Sequence, residues 1–101
     1  MTREEFMQQE EEKLEFFTTQ IVKVHGQNHP ELAEVRRLFS LLNAKLAQNP
    51  AADLTKELKE LKEVTHNYEV PSDACGAYRE TYRLLKELSG LSFKEADSLV
   101  K

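Results

Sequence analysis

Cysteine is nearly absent from this chain, and its scarcity excludes several kinds of chemistry. Cys75 is the only cysteine among 101 residues. One chain therefore cannot form an internal disulfide or a multi-thiolate metal site, and it has no CxxC redox motif. Because Cys75 falls in phase with Tyr78 and Tyr82, we expect it to pack as a small apolar residue on a buried helix stripe. The alternative is a reactive thiolate near a helix start.

Long apolar runs and an excess of basic residues are also missing. No stretch approaches the length of a membrane span, and the first residues, MTREEFMQQEEE, carry glutamates where a signal peptide needs a basic start. We therefore expect a cytoplasmic protein that does not bind membranes. The formal net charge of −4 argues against nucleic acid as a partner, because nucleic-acid affinity depends on clustered Lys and Arg.

Sequence motifs of common catalytic sites are absent as well. The chain has no phosphate-binding glycine loop, no nucleophile elbow and no HExxH helix. The sequence therefore predicts a protein that is not an enzyme.

The chain does contain the apolar residues that one folded domain needs. Apolar residues make up 40% and charged residues 32% of the sequence, which is typical of a folded, soluble domain rather than a disordered tail. Its length allows one core, so we predict a single domain over residues 1–101.

Apolar residues recur at helical intervals along most of the chain. In the first segment the predicted buried stripe contains Leu14, Phe17, Ile21 and Val24, with Phe6 and Phe16 near the same side. Stop and cap signals then divide the chain into predicted helices of about 3–24, 30–49, 54–67, 72–89 and 92–100, the fourth opening at Ser72 or Asp73. Because the connections are short, we predict an all-α, antiparallel up-down-up-down four-helix bundle with a short C-terminal helix.

The histidines and tyrosines are the remaining candidates for chemistry. His25 and His29 are four residues apart, a spacing at which two histidines on one continuous helix can share a metal. Gly26 and Pro30 interrupt this helix, so His25 is otherwise a helix-end cation and His29 a turn residue. We interpret His66 as solvated. The tyrosines at 68, 78 and 82 are interpreted as core residues.

Two runs of the sequence, KVHGQNHPEL at 23–32 and YEVPSDACGAYRETY at 68–82, resemble segments of the RIC (repair of iron centres) family. The resemblance covers most of residues 20–89. The matched residues are Val24, His25, Gly26, Asn28, His29, Pro30 and Leu32 in the first run, and Tyr68, Pro71, Ala74, Cys75, Tyr78, Arg79 and Tyr82 in the second. It implies a haemerythrin-like bundle whose family members hold a di-iron centre and restore stress-damaged iron-sulfur clusters.

Most of the metal ligands that the resemblance implies have no counterpart in this chain. Only His25 matches one of them, and the other ligand positions fall near Glu4, Asn49, Ala51, Asp53, Glu95 and Leu99. A di-iron centre needs about six protein ligands. The chain therefore resembles a shortened, ligand-poor relative of this family.

These observations give three hypotheses. The first is a non-catalytic helical module without a cofactor, which acts on an unidentified protein partner through a surface of Asn28, His29, Asp73 and Arg79. The alternative is an iron-binding protein of stress response and iron-sulfur cluster repair, in which His25 and nearby carboxylates hold iron, with a homodimer doubling the ligand count. The third gives Cys75 a thiol-transfer or redox role.

Overall fold

The computed structural model describes residues 1–91, and these residues form four α-helices and no β-strand. The helices are α1 Arg3–His25, α2 Glu31–Gln48, α3 Thr55–Val64 and α4 Gly76–Ser89. The prediction of an all-helical chain is confirmed for this part of the sequence. The predicted short helix that begins at Ser92 lies outside the described residues. Over residues 1–91, no helix combines the length and the apolarity that a membrane span requires.

Helix α1 has specific interactions at both ends. Thr2 and Glu5 form a capping box: the Thr2 hydroxyl accepts from the Glu5 N–H at 3.1 Å, and the Glu5 carboxylate accepts from the Thr2 N–H at 2.8 Å. At the other end, a Cβ on Gly26 would meet the carbonyl oxygen of Val22. Glycine therefore fits at this helix end without a shift of the backbone, and the turn that carries His29 follows it.

The inward stripe of α1 differs from the predicted one. Leu14 and Ile21 are buried as expected, but Val24 is 66% exposed and Phe16 is 59% exposed. The inward position between Leu14 and Ile21 belongs to Thr18, which is fully buried. Its hydroxyl donates to the Leu14 carbonyl at 2.7 Å, so the polar group is satisfied inside the helix. Because Thr18 is polar, the apolar spacing of the sequence did not indicate correctly which side of α1 faces the core.

The start of α4 also differs from the prediction. The helix begins at Gly76 rather than at Ser72 or Asp73, and Cys75 occupies the N-cap position with an extended backbone. Cys75 is exposed, so the prediction that it packs in the core is wrong. Its backbone lies outside the helix, and the helical spacing from Tyr78 therefore says nothing about its direction.

The buried side chains form one core in which α1 contacts both α2 and α4, and α2 contacts α3. The core side chains that are nearly inaccessible to solvent include Phe6, Leu14, Ile21, Leu32, Val35, Phe39, Leu42, Leu54, Leu61, Tyr78, Leu85 and Leu88. At the edge of the core, polar side chains of neighbouring helices contact each other. Arg36 on α2 donates to the Thr18 hydroxyl at 3.0 Å and to the Glu15 carboxylate at 2.6 Å, both on α1.

Candidate functional site

The imidazole of His29 joins the turn between α1 and α2 to the segment that precedes α4. Its Nε2 atom lies 3.1 and 3.0 Å from the two carboxylate oxygens of Asp73, 44 residues later in the chain. Its Nδ1 atom lies 3.5 Å from a carboxylate oxygen of Glu31. Both ring nitrogens therefore face acceptors, and only the doubly protonated imidazolium can donate to both.

The electrostatics of this contact favour the charged pair. Hydrogen bonding to Asp73 is the main reason that the pKa of His29 is raised, with a smaller contribution from Glu31. The same hydrogen bond lowers the pKa of the Asp73 carboxyl group. The contact between His29 and Asp73 therefore brings together two residues that the sequence placed in one interaction surface.

Behind His29, four aromatic rings form a cluster with edge-on geometry. The Tyr78 ring lies 5.3 Å from His25, 5.6 Å from His29 and 5.0 Å from Tyr82, measured between centroids. Burial raises the pKa of the Tyr78 and Tyr82 hydroxyls, so both remain neutral phenols at neutral pH. Their interpretation as core residues is confirmed.

The ring of His25 is also part of this cluster, 6.4 Å from the ring of His29. Its Nε2 atom is buried and has no hydrogen-bond partner among the described residues. An unpaired buried nitrogen is unfavourable, and it marks a place where a proton donor or a metal ion would gain an interaction.

A left-handed turn follows α3 and forms the next part of the site. His66, Asn67 and Tyr68 have φ values of 52°, 60° and 62°, which non-glycine residues seldom adopt in succession. Hydrogen bonds hold the turn: the Asn67 N–H donates to the Lys62 carbonyl at 2.7 Å, and the Tyr68 N–H donates to the Thr65 hydroxyl at 2.9 Å. The turn buries the Tyr68 side chain while His66 remains exposed.

Between this turn and His29 lies a cavity of about 350 Å³. Its walls combine carboxylates, imidazoles, phenols and apolar side chains. They are formed by His29, Glu31, Val64, Thr65, His66, Glu69, Pro71, Tyr78 and Tyr82. The cavity is therefore polar on several sides. Its walls come from the α1–α2 turn, from the segment between α3 and α4, and from the helices themselves, including α4.

Of the other predicted surface residues, Asn28 lies in the same turn as His29, and Arg79 lies on α4, after the segment that carries Asp73. Asn28 is exposed in the turn, and its N–H donates to the His25 carbonyl at 3.1 Å. Arg79 is exposed on the first turns of α4, and its Nε donates to the Ala74 carbonyl at 3.4 Å. We call the surface of Asn28, His29, Asp73 and Arg79 the His29 face.

Within residues 1–91, no group of three or more His, Cys, Asp or Glu side chains is arranged to hold a metal ion. His25 as a metal ligand stays a prediction.

Several residues of the site were missed by sequence reasoning. Glu31 contacts His29, and its position two residues later in the sequence was an available indication. Thr65 and Glu69 reach the cavity through a left-handed turn without glycine, which no residue pattern predicts.

No protein-family model, curated protein or solved structure matches this chain.

Proposed function

We propose that the protein is a non-catalytic, cytoplasmic helical-bundle protein that acts by binding another protein through the His29 face. One observation carries this proposal: His29 contacts Asp73 across 44 residues of sequence at 3.0 Å. The contact joins the turn between α1 and α2 to the segment that precedes α4, which favours one arrangement of the exposed groups around it before any partner arrives. A preorganised surface loses less conformational entropy on binding.

The composition of the face supports a protein contact. The Asp73 side chain is 52% exposed, and Asn28 and Arg79 are also exposed. The adjoining chain segments expose two apolar side chains, with Val24 66% exposed and Val70 37% exposed. Protein interfaces combine apolar contacts with polar groups of this kind at their rim.

We further propose that the helices pack as an antiparallel, haemerythrin-like bundle and that the chain is a ligand-poor relative of the RIC proteins. Contacts between α1 and α2 support the antiparallel arrangement: Glu11 accepts from Asn43, and Glu15 accepts from Arg36, both at 2.6 Å. The residues that match the RIC runs include three of the His29 face, Asn28, His29 and Arg79, and Asp73 lies within the second run.

Partner binding is tested with charge variants that leave the core untouched. Arg79→Glu reverses an exposed charge on the His29 face, and Lys59→Glu makes the same reversal on the exposed side of α3. We expect a protein captured by the wild type to be retained by Lys59→Glu and lost by Arg79→Glu, with circular dichroism unchanged in both. Capture that is equally strong with Arg79→Glu and Asp73→Asn would show that this face is not the interface.

A second candidate function is iron binding for iron-sulfur cluster repair, with His25 and nearby carboxylates as ligands. The buried Nε2 of His25, which has no hydrogen-bond partner within residues 1–91, favours it, since a metal ion would satisfy this atom. A homodimer would bring two such histidines into one protein.

Anaerobic Fe(II) titration tests this candidate, with His25→Ala as the variant and His66→Ala as the control. Stoichiometric binding that raises the melting temperature and disappears only in His25→Ala would support it, because a ligand of the folded state stabilises that state. Binding at background level in the wild type would exclude it.

A further inference from the structure

We propose that the cavity beside the His29 face receives the guanidinium or ammonium group of an Arg or Lys side chain from the protein partner. This inference rests on the proposed function and specifies the chemistry of the partner. It concerns the walls of the cavity. The cavity and the His29 face have one residue in common, His29.

The size and apolar walls of the cavity suit one long side chain. Its volume of about 350 Å³ lies near the lower end of the range of small-molecule pockets, which is about 300–1,000 Å³. Val64 and Pro71 provide apolar wall on one side. The aliphatic stem of Arg or Lys can pack on such a surface while its charged end reaches polar groups.

The polar groups of the cavity favour a cation. The lining includes two acidic residues, Glu31 and Glu69, and two tyrosines, Tyr78 and Tyr82. Because the pKa of both phenols is raised by burial, they add hydrogen-bonding groups without adding charge. A guanidinium group pairs well with carboxylates, since its planar N–H groups match their geometry.

The imidazole of His29 does not offset this preference. His29 already faces both oxygens of Asp73 at 3.1 and 3.0 Å, so its positive charge is largely compensated. An anion entering the cavity would also meet the carboxylates of Glu31 and Glu69. The net charge of −4 on the whole chain further favours the approach of a basic partner.

The backbone around the cavity holds these groups in place. Thr65, His66 and Glu69 come from the left-handed turn, in which the Glu69 N–H donates to the Thr65 carbonyl at 3.1 Å. His29 on the opposite wall is held by Asp73. Hydrogen bonds therefore support both walls of the cavity that a partner side chain would enter.

The test is an NMR titration of the full-length, ¹⁵N-labelled chain with N-acetyl-arginine methylamide. The citrulline analogue serves as an uncharged probe of the same shape, and the glutamate analogue as an anionic probe. We expect saturable shifts at the amides of residues 64–69 with the arginine probe only. Glu69→Gln should weaken binding about tenfold by removing a charge-assisted hydrogen bond, whereas Glu63→Gln, an exposed acid outside the cavity walls, should leave it unchanged.

Three results would overturn the inference: equal binding of citrulline, preferential binding of glutamate, or arginine binding that Glu69→Gln does not weaken. Absence of arginine binding, combined with partner capture that still depends on Arg79, would reject the cavity and leave the proposed function intact. Arginine binding combined with capture that ignores the His29 face would reject a partner side chain as the occupant.

Discussion

At the scale of single residues, His29 links protonation to stability. Its two ring nitrogens face Asp73 and Glu31, and its pKa is raised mainly by the hydrogen bond to Asp73. The folded state therefore holds this proton more tightly than the unfolded chain, in which the pKa is about 6.5. The stabilisation is complete below that value and is lost as pH rises through the higher folded pKa.

We expect the free energy of unfolding to fall more between pH 6 and pH 8 in the wild type than in Asp73→Asn, which removes the carboxylate partner. Urea unfolding at the two pH values measures this difference. The lowered pKa of Asp73 adds a second limit, because the contact is lost again as pH falls through that folded value. Equal losses in both proteins between pH 6 and pH 8 would show that the contact does not contribute to stability.

A second residue pair places a carboxylate inside the molecule. The side chain of Glu57 on α3 is only 5% exposed, and one of its oxygens accepts from Lys45 on α2 at 2.6 Å. That hydrogen bond is the main reason that the pKa of Glu57 is lowered. Its other oxygen is buried without a partner among the described residues. The buried carboxylate therefore depends on Lys45 for a charged partner.

Lys45→Met should destabilise the protein by about 1–2 kcal/mol, because it leaves a buried carboxylate unpaired. This value is kept low because Lys45 is itself 39% exposed. The double variant Lys45→Met, Glu57→Leu should recover most of the loss, since an apolar pair often replaces a buried ion pair without cost. Chemical denaturation of the single and double variants measures both effects, and a double variant less stable than Lys45→Met would contradict the argument.

At the scale of elements, the left-handed turn after α3 is the most unusual connection. His66 adopts a φ of 52° without being glycine, and this conformation costs an ordinary residue about 1–2 kcal/mol. This conformational cost is offset by the burial of Tyr68 and by the hydrogen bonds of the turn.

His66→Gly should therefore be more stable than His66→Ala by about 1 kcal/mol, since only glycine adopts a positive φ without strain. The opposite order is expected at Lys62, an exposed residue inside α3, where glycine costs about 1 kcal/mol relative to alanine. Thermal unfolding of the four variants gives both comparisons. If alanine were more stable than glycine at His66, the turn would not be left-handed in solution.

The elements that the sequence predicted well were those with regular apolar spacing and clear ends. The bounds of α1 and α2 agree with Gly26, Pro30 and Asn49 as boundary residues. The errors came where tertiary contacts override local pattern. Asp73, an expected helix cap, pairs with His29 instead, and the helix then begins after Cys75.

The candidate site was less predictable than the helices. His29 and Asp73 were placed in one surface by resemblance, yet spacing alone gives no reason for residues 44 apart to meet. The cavity depends on the left-handed turn and on the packing of Tyr78 against His29. Both arise from the folded arrangement of several elements, which no short window of sequence contains.

At the scale of the whole molecule, α1 holds the core together because it contacts both α2 and α4. Leu14 lies on its inward side and is fully buried, whereas Phe16 on the same helix is 59% exposed. The two residues therefore allow a comparison of apolar truncations on one helix.

Leu14→Ala should cost about 2–5 kcal/mol by leaving a cavity in the core, and Phe16→Ala should change stability by no more than about 0.5 kcal/mol. Equilibrium unfolding in urea, followed by circular dichroism, measures both. A large loss in Phe16→Ala would instead indicate that this side chain is covered in solution, as in a homodimer, and sedimentation at several concentrations would then detect the association.

The short helix α3 has a different position, since its main helix contacts are with α2 alone. Segments with fewer buried contacts open before the rest of a protein unfolds. Native-state hydrogen exchange should therefore show the amides of α3 exchanging through a sub-global opening, while those of α1 require complete unfolding. Because Val64 and the adjoining left-handed turn line the cavity, this opening would give the protein a second, minor state in which the cavity is disassembled while the rest of the fold persists.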